Sequence, residues 1–224
     1  MTMRVWVRDN LAAPAKRVLA PMEVRRYLSR HDEPRLNIGC GGNRLPGWLN
    51  VDRFPPFGVT FMDATTRLPF DDGTFAAVLC EHMIEHVPKS DAIHLLGELA
   101  RILAPGGAVR IVTPDLGWLA SRVLAPVPDG APDETYRTFL SERHGGTPVS
   151  WCDAINLCFY EHSHCYIWSI EELSEQMQSA GFKDLAVMRA GASKDPQFEN
   201  VDGHPRLIGE LVNSLEAFAI EARV

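Results

Sequence analysis

The 224-residue sequence lacks a long apolar run and lacks a cluster of basic residues. A membrane-spanning helix needs about 20 consecutive apolar residues, and no such stretch occurs. Near the N-terminus, charged residues such as Arg8, Asp9 and Lys16 interrupt the apolar stretches, so no secretory signal is predicted. The formal net charge is −7, whereas binding to nucleic-acid phosphates requires a basic face. We therefore expect neither a membrane nor a nucleic-acid partner.

Cysteine pairs of the C-x-x-C type are also absent. The five cysteines are scattered along the chain: Cys40, Cys80, Cys152, Cys158 and Cys165. An odd number of cysteines outside a small secreted protein favours reduced thiols, so we predict a cytoplasmic protein. Hydrophobic residues make up 46% of the chain, which is enough to fill the core of one α/β domain.

The segment from Arg35 to Asp52, RLNIGCGGNRLPGWLNVD, is the most informative one present. A short apolar strand is followed by Gly39, Gly41 and Gly42, and their lack of a Cβ atom lets backbone N–H groups approach a ligand. A purely structural turn is the alternative. The pattern G-x-G-x-x-G is absent, and Asp52 follows Gly39 by 13 residues instead of the roughly 20 typical of nicotinamide cofactors. S-adenosylmethionine, which has no phosphate, fits better, with Asp52 accepting hydrogen bonds from two ribose hydroxyls.

Strand patterns and helix patterns alternate along much of the chain. We predict strands at 36–38, 49–51, 59–62, 76–80, 108–112, 185–188 and 215–224, and helices at 10–30, 90–103 and 207–212. Ser90 or Asp91 is the expected N-cap of the helix at 90–103, and Ser169 to Glu172 has the pattern of a capping box. Such alternation implies parallel strands joined by right-handed crossovers.

Ligands of parallel sheets bind at the carboxyl ends of the strands. The residues that follow or end the predicted strands form one rim: Gly39, Asp52, Asp63, Glu81 and Thr113. This order of strand, glycine loop, two acidic strand ends and PGG turn, between Leu36 and Asp115, resembles class I S-adenosylmethionine-dependent methyltransferases of the type 11 kind.

The resemblance implies an α/β, Rossmann-like fold, with a mostly parallel sheet, helices on both faces and an antiparallel final strand. It also implies a methyltransferase that forms a single domain over residues 1–224. Within this domain we expect an N-terminal helical segment at 1–30. The alternation of strand and helix stops after Asp115, and we expect an irregular, substrate-side insertion at 116–165.

The resemblance also assigns cofactor-binding residues. They are Gly39, Cys40, Gly41, Asp52, Arg53, Asp63, Ala64, Glu81 and His82. In this assignment Asp63 and Ala64 meet the adenine amino group, and Glu81 or His82 lies beside the methionine part. The alternative for Asp63 is that it only caps a turn.

Three histidines are the candidates for removing a proton from the acceptor: His86, His162 and His164. If the segment CEHMIEHVP is helical, His82 and His86 share one face. The zincin pattern H-E-x-x-H is absent, so a metal site is not predicted. His162 and His164 share a face if their segment is extended. Structural roles are the alternatives: His86 as a helix cap, and the segment around His164 as a hydrogen-bonded lid.

The stretch Asn43 to Leu49 leaves little room for the helix that usually follows the glycine loop, because it contains Pro46 and Gly47. This short version resembles a subgroup that we associate with small-molecule or glycan-related acceptors. Three other functions remain open: alkyl transfer or cyclisation at another carbon next to sulfur, a non-catalytic S-adenosylmethionine-binding subunit, and, as the weakest, a nicotinamide dehydrogenase.

Overall fold

The helices and strands follow the predicted alternation over the first half of the chain. This computed structural model describes residues 3–125, 127–128 and 130–224, and side chains from residue 16 onward. The strands are β1 (Arg35–Ile38), β2 (Leu49–Asp52), β3 (Thr60–Phe61), β4 (Phe75–Glu81), β5 (Leu103–Pro114), β6 (Lys183–Arg189) and β7 (Ala217–Arg223). The helices are α1 (Met3–Leu28), α2 (Lys89–Ile102), α3 (Leu116–Leu124), α4 (Glu134–Arg143), α5 (Trp151–Tyr160), α6 (Ile170–Ser179), α7 (Pro205–Ile208) and α8 (Glu210–Glu216). Met1 and Thr2, which the predicted segment at 1–30 includes, lie outside the described residues.

Within the described residues, seven strands form one sheet in the order β3-β2-β1-β4-β5-β7-β6. The first five strands pair in parallel. By contrast, β7 is antiparallel to both β5 and β6, and its register with β5 runs from the pair Ala108–Arg223 to the pair Pro114–Ala217. The predicted mostly parallel sheet, with an antiparallel final strand and flanking helices, is confirmed.

The two faces of the sheet bury different side chains, because successive residues of a strand point to opposite faces. Val78 and Cys80 of β4 belong to the larger core, in which α2 and α6 cover the sheet. Ala77 and Leu79 face the other way, into a smaller cluster completed by loop residues. In that cluster the small side chains of Ala77 on β4 and Ala108 on β5 leave room for the large side chains of Trp48 and Phe198.

The segment 116–160 contains three helices, α3 to α5, so the expectation of irregular structure there is wrong. The side chain of Asp115 caps α3 by accepting a hydrogen bond from the N–H of Trp118 at 3.0 Å. Ser150 and Asp153 form a complete capping box at the start of α5. The three helices share a separate apolar cluster that includes Leu119, Tyr136, Leu140 and Ala154. None of the helices in the described part of the chain has the length and apolar character that a membrane crossing requires.

The carboxyl ends of the parallel strands lie side by side, as predicted. Cys40 donates its backbone N–H to the carbonyl of Val51 at 3.0 Å, and Met62 donates to Asp52 at 3.0 Å. The N–H of His82 donates to the carbonyl of Val112 at 2.9 Å. These bonds continue the sheet past the ends of β1, β3 and β4, so the residues that follow these strands are held along one rim.

Candidate active site

Glycine determines the shape of the loop after β1. Gly39 and Gly41 have φ values of +68° and +49°, in the left-handed region that favours glycine. A Cβ atom on Gly39 would lie 2.1 Å from Cγ of Met83, so a larger residue would strain the backbone and displace Met83. Residues 39–48, all of them described, contain no helix, as Pro46 and Gly47 predict.

Asp52 ends β2, and its carboxylate contacts the glycine loop. Oδ2 accepts a hydrogen bond from the N–H of Gly41 at 2.8 Å, and Oδ1 accepts one from the N–H of Phe54 at 2.7 Å. A carboxylate has about four acceptor positions, so Asp52 can hold the loop and still accept bonds from a ligand. Cys40 is buried, and burial raises the pKa of its thiol to about 12. The thiol of Cys40 is therefore an uncharged, buried group of the glycine loop.

Asp63 follows β3 and caps a turn. Its Oδ1 accepts hydrogen bonds from the N–H and the hydroxyl of Thr65 at 3.1 and 2.7 Å. Arg53, which is exposed, lies 3.7 Å from Oδ2, and the next residue, Ala64, is half-buried. Burial favours the neutral acid, but the bonds from Thr65 and the positive charge of Arg53 outweigh it and lower the pKa of Asp63. The turn-capping role is thus present, and Oδ2 keeps acceptor capacity.

Glu81 ends β4, and its carboxylate is occupied by other parts of the chain. It accepts hydrogen bonds from the N–H groups of Gly203 and His204 and from Nδ2 of Asn43, at 2.8 to 2.9 Å. The same Nδ2 donates to the carbonyl of Val201 at 2.8 Å. Glu81 therefore ties the glycine loop to the loop before α7. No motif in the sequence pointed to these partners.

His82 has a φ of +45° and turns away from β4 towards Glu85. Its Nδ1 lies 3.1 Å from Oε1 of Glu85, and Oε2 of Glu85 accepts a hydrogen bond from the hydroxyl of Thr113 at 3.0 Å. The ring of His82 packs on His204, with ring centroids 3.9 Å apart. Burial opposes a charge on either group, but their hydrogen bond and opposite charges raise the pKa of His82 to about 9 and lower the pKa of Glu85. The two residues form a buried ion pair.

The segment after β4 is not the helix that the i,i+4 spacing of the histidines suggested. Only Ile84–His86 form a turn of 3₁₀ helix. Because His82 has a left-handed backbone conformation, it does not share a helical face with His86. His86 instead meets His164 edge to face, with ring centroids 4.7 Å apart.

Backbone hydrogen bonds bring His164 to His86. The N–H groups of Cys165 and Tyr166 donate to the carbonyl of Glu85 at 2.7 and 3.1 Å. The thiol of Cys165 donates to the carbonyl of His86 at 3.3 Å. Two segments that are far apart in the sequence are therefore held together at the position of the two imidazole rings.

His162 and His164 lie in a turn, in which Ser163 has a φ of +60°. The segment is therefore not extended, and the condition under which the two side chains would share a face is not met, although their ring centroids are only 5.8 Å apart. The side chain of His162 is 54% exposed. His164 is more buried; its Nδ1 has no hydrogen-bond partner among the described residues, and burial lowers its pKa.

A cavity of about 480 Å³ lies at the carboxyl ends of β4 and β5, with walls from α4, α5, α7 and α8. We call it the histidine-rich cavity. Its wall includes His82, Glu85, His86, Tyr136, Phe139, Leu140, Arg143, Leu157, His162, His164, His204 and Glu216. The three histidines predicted as candidates for proton removal all belong to this wall. Of the predicted cofactor residues, only His82 also lines the cavity.

Much of this wall was not predicted from the sequence. Tyr136 and Arg143 lie in the predicted substrate-side insertion at 116–165, but no motif singled them out. His204 and Glu216, whose Nε2 and Oε1 atoms lie 3.3 Å apart, come from the loop before α7 and from α8, where no motif stands out. In the glycine loop and after β4, Oδ1 of Asn43 and Nε2 of His82 are also buried without a hydrogen-bond partner among the described residues.

Comparison with known families decides the class of the protein. Residues 19–187 match a family model described as a methyltransferase domain, which is most of the chain. The chain belongs to the methyltransferase domain family. It is an enzyme that uses S-adenosylmethionine as its cofactor, as the sequence predicts. No curated protein matches the chain.

Solved structures agree with this methyltransferase fold. An S-adenosylmethionine-dependent methyltransferase from Archaeoglobus fulgidus is similar with a TM-score of 0.51 and 15% identity, over 93% of this chain and 94% of that chain. A methyltransferase from Thermotoga maritima, described as a possible histamine N-methyltransferase, is similar with a TM-score of 0.50 and 18% identity, over 99% of both chains. These similarities support the fold, and they do not identify the acceptor.

Proposed function

We propose that this methyltransferase transfers the methyl group of S-adenosylmethionine to a small-molecule or glycan-related acceptor bound in the histidine-rich cavity. The supporting observation is the cavity itself, which lies next to the rim and is lined by candidates for proton removal. Its volume of about 480 Å³ is within the range of about 300–1,000 Å³ usual for small-ligand sites. A folded nucleic acid or protein would not enter such a space.

The rim residues are suited to hold the cofactor. The carboxylates of Asp52 and Asp63, at the ends of adjacent strands, would accept hydrogen bonds from the ribose and the adenine. At the other end, Oδ1 of Asn43 is a buried acceptor and Nε2 of His82 is a buried donor when His82 is protonated. The amino acid part of S-adenosylmethionine carries an ammonium and a carboxylate group. The ammonium would donate to Oδ1 of Asn43, and the carboxylate would accept from Nε2 of His82. His82 also lines the cavity, so it would mark where cofactor and acceptor meet.

The wall of the cavity suits a polar acceptor with an apolar side. Phe139, Leu140 and Leu157 offer apolar contacts, whereas Tyr136 and Arg143 offer hydrogen bonds. Bound S-adenosylmethionine supplies an electrophilic methyl group, so the protein must chiefly align the acceptor and exclude water. A neutral imidazole is needed to take up the acceptor proton. Burial lowers the pKa of His164 and so favours the neutral form of its ring.

The experiment is a transfer assay with S-adenosylmethionine that carries a labelled methyl group. The acceptors are panels of monosaccharides, nucleotide sugars, small amines, RNA and protein, and every labelled product is identified by mass. We expect label in a small molecule whose mass increases by one methyl group. Label found only in RNA or protein would contradict the proposal. An increase equal to a larger alkyl group would favour transfer of another carbon chain.

A variant pair tests whether the cavity is the acceptor site. Leu157→Trp would fill the cavity, whereas Leu124→Trp makes the same change at an exposed position on α3. We expect Leu157→Trp to lose at least roughly tenfold in kcat/KM, about 1.4 kcal/mol, while it still binds S-adenosylhomocysteine. Leu124→Trp should retain wild-type activity. Full activity of Leu157→Trp would place the acceptor elsewhere.

A further inference from the structure

We propose that Glu85, His86 and His164 bind a divalent transition-metal ion of the zinc class in the histidine-rich cavity. Each of the three residues offers one ligand atom, and these atoms lie within 4.8 Å of one another. No sequence motif gathers them, since His164 comes from a distant segment. The backbone bonds from Cys165 and Tyr166 to the carbonyl of Glu85 create the group.

The ligand atom of His164 is available for such an ion. Its Nδ1 is buried and has no hydrogen-bond partner in the described part of the chain, an arrangement that normally costs free energy. A metal ion bound to this atom would remove that cost.

Glu85 provides the negative charge that the ion needs. It is fully buried, and Nδ1 of His82 lies 3.1 Å from its Oε1. Its two oxygens accept one hydrogen bond each, from His82 and Thr113, so acceptor positions remain. These two neighbours would act as outer partners that hold the carboxylate in place, as is usual around metal ligands.

The set of two imidazoles and one carboxylate determines the class of ion. Zinc sites of enzymes commonly have three protein ligands and one open position, and two His with one Glu is a known combination. Hard cations such as Mg²⁺ prefer oxygen ligands. Ligands at about 2.1 Å from a tetrahedral ion are about 3.4 Å apart, so atoms that lie up to 4.8 Å apart must approach by up to about 1.4 Å. His86 is exposed and ends a short turn, so its ring can make that adjustment.

The open position would face the cavity, where an acceptor oxygen or nitrogen could bind. A metal ion there would orient the acceptor and lower the pKa of a hydroxyl group. With His86 and His164 bound to the ion, His162 would be the candidate histidine left in the wall to take up the proton. This role rests on the proposed function, whereas the binding of the ion does not. The test therefore measures metal binding and cofactor binding separately.

The experiment is calorimetric titration of the metal-free protein with ZnCl₂ and, in parallel, with MgCl₂. We expect one Zn²⁺ per chain with a Kd on the order of micromolar, and far weaker binding of Mg²⁺. His86→Ala and His164→Ala should each weaken Zn²⁺ binding by at least roughly tenfold. Two variants should retain wild-type Zn²⁺ binding: His94→Ala, at an exposed position on α2, and Cys165→Ser, which removes the neighbouring thiol.

Several outcomes would overturn the metal site. They are an absence of Zn²⁺ binding to the wild type, equal weakening in His94→Ala, loss of binding in Cys165→Ser, and Mg²⁺ binding as tight as Zn²⁺ binding. Titration of the same proteins with S-adenosylhomocysteine separates the two proposals. Cofactor binding without Zn²⁺ binding would overturn the metal site alone. Zn²⁺ binding without methyl transfer to any acceptor would leave the site standing and count against the proposed function.

Discussion

A single carboxylate, Asp52, joins the glycine loop to the expected position of the ribose. Replacing it with Ala removes the acceptors for ribose hydroxyls and also the acceptor for the N–H of Gly41. We expect Asp52→Ala to weaken S-adenosylhomocysteine binding by at least roughly tenfold, about 1.4 kcal/mol. Calorimetric titration of the folded variant measures this change.

Asp32→Ala is the matched control, because Asp32 is exposed and lies before β1, away from the rim. It should bind S-adenosylhomocysteine as the wild type does. Circular dichroism must show that both variants are folded. Unchanged affinity in a folded Asp52→Ala variant would remove Asp52 from the cofactor site.

Residues of the rim could be predicted from the sequence because their spacing is local. Gly39 and Asp52 lie at the two ends of one short segment, and each needs only a strand before it. The pairing of His86 with His164 could not be predicted, since it depends on a docking of distant segments through the carbonyl of Glu85. The positive φ of His82 likewise breaks the helical spacing on which the i,i+4 prediction relied.

At the scale of elements, strand and helix identities were predictable, whereas several ends were not. α2 begins at Lys89 after Pro88, without a side-chain cap, so the prediction of Ser90 or Asp91 as N-cap is wrong. Pro88 occupies the N-cap position itself and has no polar side-chain atom, so it cannot accept a hydrogen bond from the first N–H groups of α2.

The predicted capping box of α6 is only half formed. Ser169 accepts the N–H of Glu172 at 3.2 Å. The carboxylate of Glu172, however, contacts Lys89 and the hydroxyl of Tyr166 instead of returning to Ser169. A tertiary ion pair with the start of α2 therefore replaces the local bond, and no local pattern contains that information.

Arg110 links two strands of the sheet to the loop that reaches the site. It is fully buried on β5 and donates hydrogen bonds to Asp202 at 2.9 Å and to Glu221 of β7 at 2.8 Å. Arg110→Met would leave two buried carboxylates without their cation. We expect the free energy of unfolding to fall by about 3–5 kcal/mol, as measured by urea denaturation.

Arg223→Met is the matched control, since Arg223 also lies in the sheet, on β7, and pairs with Asp195. Its side chain is 46% exposed, and exposed ion pairs contribute about 0–1 kcal/mol. We therefore expect a change below about 1 kcal/mol. An equal fall in the free energy of unfolding in both variants would mean that the buried ion pairs of Arg110 stabilise the fold no more than the exposed pair of Arg223 does.

At the scale of the whole molecule, the cofactor rim and the histidine-rich cavity are built from different parts of the chain. The rim comes from residues 39–63 and from the end of β4. The cavity adds α4, α5, and the 201–216 segment, which Glu81 ties to the glycine loop through Gly203 and Asn43. Cofactor binding should stabilise the fold as a whole, because the ligand binds the folded chain and not the unfolded one.

The thermal midpoint of unfolding, Tm, tests whether the cofactor stabilises the fold. A ligand that binds only the folded chain, at about 100 times its Kd, adds about 2.7 kcal/mol of stability. For a chain of this length, each kcal/mol raises Tm by about 2–4 °C, so S-adenosylhomocysteine should raise Tm by about 5–10 °C. NAD at the same concentration should cause no shift, because the glycine loop lacks the G-x-G-x-x-G pattern. A shift with NAD alone would contradict the assignment of the rim, and a shift with S-adenosylhomocysteine that persists undiminished in Asp52→Ala would mean that the ligand binds elsewhere.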